Sequence, residues 1–390
     1  MNSIALWYKE RETVITNSTE SIDDIVDPAA TDTTESENQQ ELSESTDSAH
    51  NIQSGEKCPL TIHLNYWQVN ERLKKRLFIP RRREISFLDA GILLDKPSLV
   101  EIVYIFIPFS SVSNKIQVED LGKLLKERPE LVYAIFNEKF KVSVSTGSKI
   151  INVTDDSRPD KNFNIYVLDD ATDIEYEEKF NGTLLKIKVP NGILQSEIPL
   201  YFRIRIKGPF VDTLRVVYRP KNRLFESGFS EIEVLDFRVQ EIRNLNPTLL
   251  EEMSINKSFD LKKIHLLILR SARDELMFNS GNLHSSRILE RGLWKSYFSE
   301  DIILDDIFAY HTKSAKTTNG SALEDFIVGF KFKVERVSVR TILAYLGIAL
   351  VLSYFVELTA SDLKEILSYL GELVQQGWAN IIRNLNNNLR

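Results

Sequence analysis

Between residues 58 and 338 the chain alternates short apolar runs, rich in β-branched and aromatic side chains, with clusters of turn formers. The runs fall at 60–67, 100–109, 140–144, 163–168, 183–189, 200–206, 214–218, 231–239, 264–269 and 326–337. Runs of this length without a β-α-β rhythm predict a mainly β body, an antiparallel β-sandwich-like domain with one or two helices, and argue against a doubly wound nucleotide fold. Two runs have strict period two. Leu185, Ile187 and Val189 alternate with Lys186 and Lys188, and Phe202, Ile204 and Ile206 alternate with Arg203 and Arg205. Apolar residues then share one face and cations the other, as on half-buried strands. Asn181-Gly182, between 173–180 and 183–189, predicts a hairpin with a type I′ turn, which needs positive φ at both turn positions. Helical spacing appears at 118–137, where Leu121, Leu124, Leu125, Leu131, Val132 and Ile135 recur at three and four and Pro129 splits the helix. A second helical patch is expected at 272–278.

The pattern changes again near the C-terminus. Residues 341–356 carry no charge and are apolar on every side; Ile342, Leu343, Leu346, Ile348, Leu350, Val351, Leu352 and Phe355 dominate. As a helix this segment is about 24 Å long, and extension to residue 361 reaches the length of a span across a ~30 Å hydrocarbon core. Its Ile, Leu, Val and Phe residues favour insertion by roughly 4 kcal/mol before small and polar residues subtract from that. A helix of this kind spans a membrane, lies on one, or is covered by protein on all sides. Residues 361–389 then read as a separate amphipathic helix, with Ser361 as N-cap and Leu363, Ile366, Leu367, Leu370, Leu373, Val374, Trp378, Ile381, Ile382 and Leu385 on its apolar face. That face suits a membrane surface with Trp378 at the headgroups, a helical hairpin, an oligomer, or packing on the chain's own body. Lys331, Lys333, Arg336 and Arg340 precede the span while Asp362, Lys364 and Glu365 behind it nearly cancel, which predicts a membrane protein with its β body in the cytoplasm. A single cysteine, Cys58, agrees with a reducing compartment.

Charge is distributed unevenly. Residues 1–57 hold 13 acids against 3 bases, so a chain of net charge −7 carries +3 over the remainder. Residues 13–55 contain no aromatic side chain and are expected as part of an acidic disordered tail covering 1–57. Ile4, Leu6, Trp7 and Tyr8 form an apolar knot ahead of it, read as a frayed terminus or as a segment that docks on the body or a partner. The sharpest cationic feature is Arg72, Lys74, Lys75, Arg76, Arg81, Arg82 and Arg83, interleaved with Leu73, Leu77, Phe78 and Ile79. It fits an anionic lipid surface or nucleic-acid phosphates, a solvated face, or pairing with the acidic tail.

Signs of chemistry are sparse. His50, His63, His265, His284 and His311 show no metal-binding spacing, so no metal or cofactor is expected, and neither a P-loop nor a nucleophile elbow is present. Asp305, Asp306 and His311 converge on a site only if 307–310 is a strand. The acids at 169–178 lack the glycine of a calcium loop and read as a strand's solvent face. The sequence therefore implies a non-enzymatic, membrane-attached sensor or effector whose body binds a ligand or protein partner and whose C-terminal helix anchors in or perturbs the bilayer. By analogy of layout, a membrane-perturbing bacterial defence effector fits. The alternatives are a soluble β-rich protein that oligomerises through its C-terminal helices, and an enzyme built from scattered carboxylates.

Overall fold

The computed structural model describes residues 3–12, 55–76, 79–109, 116–145, 147–191, 197–219, 230–304, 306–314, 323–335 and 339–388. In chain order the elements are β1 (Ala5–Glu10), β2 (Pro59–Arg76), β3 (Ile79–Leu94), β4 (Val100–Ile107), β5 (Gln117–Asp120), α1 (Gly122–Glu127), α2 (Glu130–Phe136), β6 (Lys141–Val144), β7 (Ile150–Thr154), β8 (Phe163–Tyr166), β9 (Ile174–Lys179), β10 (Gly182–Lys188), β11 (Leu200–Lys207), α3 (Pro209–Thr213), β12 (Arg215–Tyr218), β13 (Ser230–Val239), α4 (Pro247–Ile255), β14 (Asp260–Ser271), β15 (Glu275–Asn279), β16 (Leu283–Ile288), α5 (Arg291–Trp294), β17 (Ile302–Ile303), β18 (Ile307–Lys313), β19 (Phe326–Glu335) and α6 (Val339–Asn388). The protein is mainly β, with predominantly antiparallel sheets and a long apolar C-terminal helix. Each of the ten apolar runs contributes a strand.

The chain forms two units. The first comprises 1–214, 237–270 and 281–328; the second comprises 215–236, 271–280 and 329–390. In the first, β1-β4-β10-β9 make a four-stranded sheet, and a larger sheet runs β16-β18-β14-β2-β3-β11-β8-β7-β6, with β17 on β2 and β5 on β11. Among the described pairings, β14 with β2 and β11 with β8 are parallel. The second unit holds the sheet β12-β13-β19-β15, together with α6.

Several sequence expectations need correction. The apolar knot is not frayed: all six residues of β1 pair with β4, Trp7 is fully buried and stacks on Tyr104 at 5.4 Å, and Tyr8 Oη accepts the Cys58 N–H at 3.1 Å. Burying two large aromatics outweighs the entropy of ordering a short strand. The acidic residues at 13–54 lie outside the described residues. The helix expected at 118–137 starts at Gly122, because 117–120 pairs with β11 instead, and the Asp120 carboxylate accepts the Gly122 and Lys123 N–H groups at 3.0 and 2.9 Å. The break at Pro129 is present. The patch at 272–278 is not helical; Glu275–Asn279 is β15, laddered onto β19, and the sheet partner overrides local helix preference.

The β9–β10 hairpin forms one residue out of the expected register. Phe180 and Asn181 hold the positive φ values, 60° and 59°, while Gly182 already pairs with Lys179. Glycine is needed at 182 for another reason: a Cβ there would stand 2.4 Å from Phe106 Cε2. The acids of β9 point outward as expected, Glu177 meeting Lys186 at 2.8 Å and Glu175 meeting Lys188.

The first unit is centred on a buried charge network. Asp89 on β3 is fully buried and accepts hydrogen bonds from Arg205 Nε (2.7 Å) and Nη2 (3.1 Å), Trp67 Nε1 (2.8 Å) and Tyr297 Oη (2.8 Å). Arg203, equally buried, donates to Tyr297 Oη at 2.8 Å and Tyr201 Oη at 3.0 Å. The rings of Phe87, Tyr297 and Phe298 face the Arg205 guanidinium at 4.4, 4.8 and 5.1 Å. Gly91 leaves room for Tyr201, whose hydroxyl would lie 2.0 Å from a Cβ at that position. Asp89→Asn strands two buried guanidiniums without their carboxylate. A loss of about 3–5 kcal/mol is expected, to be measured by urea unfolding followed by tryptophan fluorescence, since Trp67 and Trp294 pack beside the network. Near-wild-type stability would show that the carboxylate is dispensable.

Candidate functional site: a histidine row in a cleft

Side chains at alternate positions of a strand share a face, so adjacent strands lay rows of residues across a sheet. In the larger sheet Thr61, His63 and Asn65 of β2 stand opposite Lys263, His265 and Leu267 of β14. On the far side of β14, β18 presents Ala309, His311 and Lys313, and β16 adds His284, Ser285 and Arg287. The result is a row of four histidines over four neighbouring strands. His63 and His265 meet edge to face at 4.9 Å; His265 and His311 stack at 5.3 Å with Nδ1 and Nε2 3.1 Å apart; His284 abuts His311 edge-on at 5.3 Å. In the 3.1 Å pair one imidazole must donate and the other accept.

The row floors a cleft of about 650 Å³ in the first unit. Helix α2 forms one wall through Ala134, Ile135 and Phe136. It ends at Asn137, whose φ of 54° turns the chain so that Asn137 and Glu138 border the same space. Phe140 and Phe163 complete an apolar side, and His63 lies edge-on to Phe136 at 5.2 Å. The buried network reaches the floor through Asn65: with its amide oxygen turned toward Arg203 it accepts from Nη2 at 2.8 Å.

Electrostatically the cleft is lopsided. Lys161 is paired with Glu138 at 2.5 Å, Arg287 with Glu290 at 2.6 Å, and Asp95 with Lys262 at 2.7 Å. Among the described residues no carboxylate pairs with Lys263 or Lys313. Burial, then the other imidazoles and cations nearby, pushes the histidines down: His265 to about 3 and His311 to about 4. Burial, then His265 and Arg203, holds His63 well below the usual imidazole range. These three are neutral at neutral pH, each offering one N–H and one lone pair. Among the described residues no three His, Cys, Asp or Glu side chains are placed to hold a metal ion.

The residues singled out from sequence lie elsewhere. Arg72 and Arg83 are exposed on the two arms of the β2–β3 hairpin, nine and eight positions beyond the level of His63 and so roughly 25–30 Å along the strand. Arg83 pairs with Glu71 at 3.3 Å. The arms carry the rest of the cluster, with Arg72 opposite Arg82 and Leu73 opposite Arg81, but the side chains of Lys74, Lys75, Arg76, Arg81 and Arg82 lie outside the described residues. Residues 307–310 are a strand, yet Asp306 meets Arg291 at 3.7 Å and is not among the residues lining the cleft; Asp305 lies outside the described residues. His311 joins other histidines instead. The period-two pattern of Thr61, His63 and Asn65 was the one sequence signal for the row, and it does not say which strand lies alongside.

No protein-family model matches this chain, and no curated protein matches it.

In the unfolded chain an imidazole takes its proton near pH 6.5. His265 and His311 accept theirs in the fold only near 3 and 4, so between those values the unfolded chain binds more protons and stability falls as the pH drops from about 6.5 to about 4. NMR titration of the imidazole signals should place both transitions well below 5, and His265→Gln with His311→Gln should flatten that part of the stability profile. Titration of both near 6.5 would contradict the burial of the row.

Proposed function

We propose that the protein is a membrane-attached, non-enzymatic sensor or effector in which the β-rich first unit binds a ligand or partner and α6 anchors in or acts on the bilayer. One observation carries the reading: α6 is a single 50-residue helix with an uncovered apolar segment. Residues 342–380 include an 18-residue window of mean hydropathy 1.9, none of it buried among the described residues. Leu343, Leu346, Leu350, Leu352 and Phe355 are all exposed, Leu350 to 65%. A helix that is apolar all round needs lipid or protein around it. Thr359, within this stretch, turns its hydroxyl onto the Phe355 and Val356 carbonyls at 2.9 and 3.1 Å, so it carries no unsatisfied donor into an apolar medium.

The helix does not restart at Ser361, as its sequence had suggested, but continues to Asn388. At about 75 Å it is more than twice as long as a ~30 Å hydrocarbon core is thick. In this reading 342–361 lies in the bilayer, and the continuing stripe of Leu363, Ile366, Leu367, Leu370 and Val374, all exposed, meets the interface or a second copy of the helix. The cations before the span favour a cytoplasmic β body.

Full-length protein should float with vesicles and resist carbonate extraction. Leu350→Arg, costing about 2.5–3.5 kcal/mol mid-span, should release it. A detergent-free soluble oligomer whose crosslinks run through 342–356 would replace the membrane reading with the oligomer-core one. Neutralising Arg81, Arg82 and Arg83 together should weaken adsorption to anionic vesicles by about 1 kcal/mol per cation while leaving insertion intact; an effect on oligonucleotide binding alone would assign the cluster to nucleic acid.

A further inference from the structure

We propose that the histidine-floored cleft is a binding site for a small phosphate monoester with a ring-bearing organic body. The inference does not rest on membrane attachment, because every lining residue belongs to the first unit.

Three observations converge. The first is uncompensated charge. Ser314 N–H bonds the Ile264 carbonyl at 2.9 Å, and Ile264 N–H bonds Ser314 Oγ at 3.1 Å, which sets Lys263 and Lys313 on neighbouring strands, each two residues along from the middle histidines His265 and His311. Both line the cleft, and neither has a carboxylate partner among the described residues. Two adjacent ammonium groups repel each other, and a dianion between them removes that cost; lysine serves phosphate as a point charge. The second is the donor set. Within the His265–His311 pair one N–H is spent on the other ring, so the pair presents one free N–H beside the two ammonium groups, and a phosphate monoester supplies three terminal oxygens to accept from all three. A carboxylate offers a single charge and fewer acceptors for two lysines and an imidazole. The third is shape. At about 650 Å³ the space falls within the range of small-molecule sites and exceeds the needs of a bare anion. Phe136, Phe140 and Phe163 also line it, which suits a flat apolar ring rather than a sugar alone.

The geometry orients the ligand. Its phosphate sits at Lys263 and Lys313, one of its oxygens accepts the single N–H that the His265–His311 pair leaves free, and its ring lies toward α2. Asn65, held by Arg203, and His63 set the floor beneath it.

The test uses full-length protein, in detergent or nanodiscs if it requires them, with adenosine 5′-monophosphate, phenyl phosphate, inorganic phosphate and adenosine as probes. Saturable shifts of the His265 and His311 imidazole signals are expected with the two esters, weaker ones with inorganic phosphate, and the weakest with adenosine. Lys263→Gln and Lys313→Gln should each raise the ester Kd about tenfold or more, the loss of a charge-assisted contact. Because both lysines are partly exposed on the cleft face, the variants should keep the wild-type thermal midpoint without ligand and lose the ester-induced rise in it. Should a variant misfold, the ester-induced rise in the wild-type midpoint and its suppression by 0.5 M salt serve as the readout. Absence of saturable histidine shifts with every phosphate probe at 20 mM overturns the proposal. Unchanged ester binding in both lysine variants also overturns it, as does ester binding no tighter than that of inorganic phosphate, which would remove the organic body. Release of the Leu350→Arg variant from membranes with ester binding unchanged would separate this site from the anchor.

Discussion

A carboxylate with no route to water organises the first unit. Asp89 has no exposed surface, and its carboxylate is tolerated there because four hydrogen bonds from three side chains converge on it. Those donors come from β2 (Trp67), β11 (Arg205) and the short helical turn after α5 (Tyr297), so the demand of one charge fixes three separate parts of the chain around β3. Arg203 brings a second guanidinium to the same carboxylate, 3.8 Å away, and its excess positive charge is met by tyrosine oxygens and ring faces. The strict alternation of 202–206 thus points its cations inward, contrary to the solvent face that period two alone suggests.

The same network supports the cleft. Tyr201 and Asn65 both contact Arg203, and His63 lies 5.9 Å from the Tyr201 ring. The floor of the cleft is therefore backed by hydrogen-bonded side chains, a rigid base of the kind on which ligand sites are built. His265 and His311 stay neutral because burial and neighbouring cations penalise their charged form, which leaves the lysines beside them as the permanent charges.

The second unit is governed by a different solvent requirement. Its sheet is ordinary, but α6 exposes apolar residues along much of its length, and no described residue of its own unit covers them. At the other end of the chain the opposite occurred: Trp7 and Tyr8, which resemble a loose terminus in sequence, found a complete cover in β4 and the segment around Lys257. Apolar residues at either end of a chain demand burial; whether the cover is intramolecular depends on the partners folded beside them.

Local periodicity was legible in the amino-acid sequence. The ten apolar runs, the break at Pro129, the outward acids of β9 and the uncharged stretch at 342–356 follow from side-chain spacing and from the chemistry of proline and charge, which act within a few residues. A glycine correctly announced the β9–β10 hairpin, yet the turn fell on Phe180 and Asn181 and left Gly182 on the strand, where Phe106, from another strand, occupies the space a Cβ would need. Strand pairing decided the rest. The parallel ladder of β14 on β2 joins residues 200 apart and brings His63 to His265; the choice of β18 and β16 as outer neighbours adds His311 and His284. No spacing in the chain encodes that row, because hydrogen bonds between strands follow tertiary packing rather than sequence distance. The inward aim of Arg203 and Arg205 likewise depends on a carboxylate contributed by β3, so only the folded sheet could turn two apparently solvated cations into its interior.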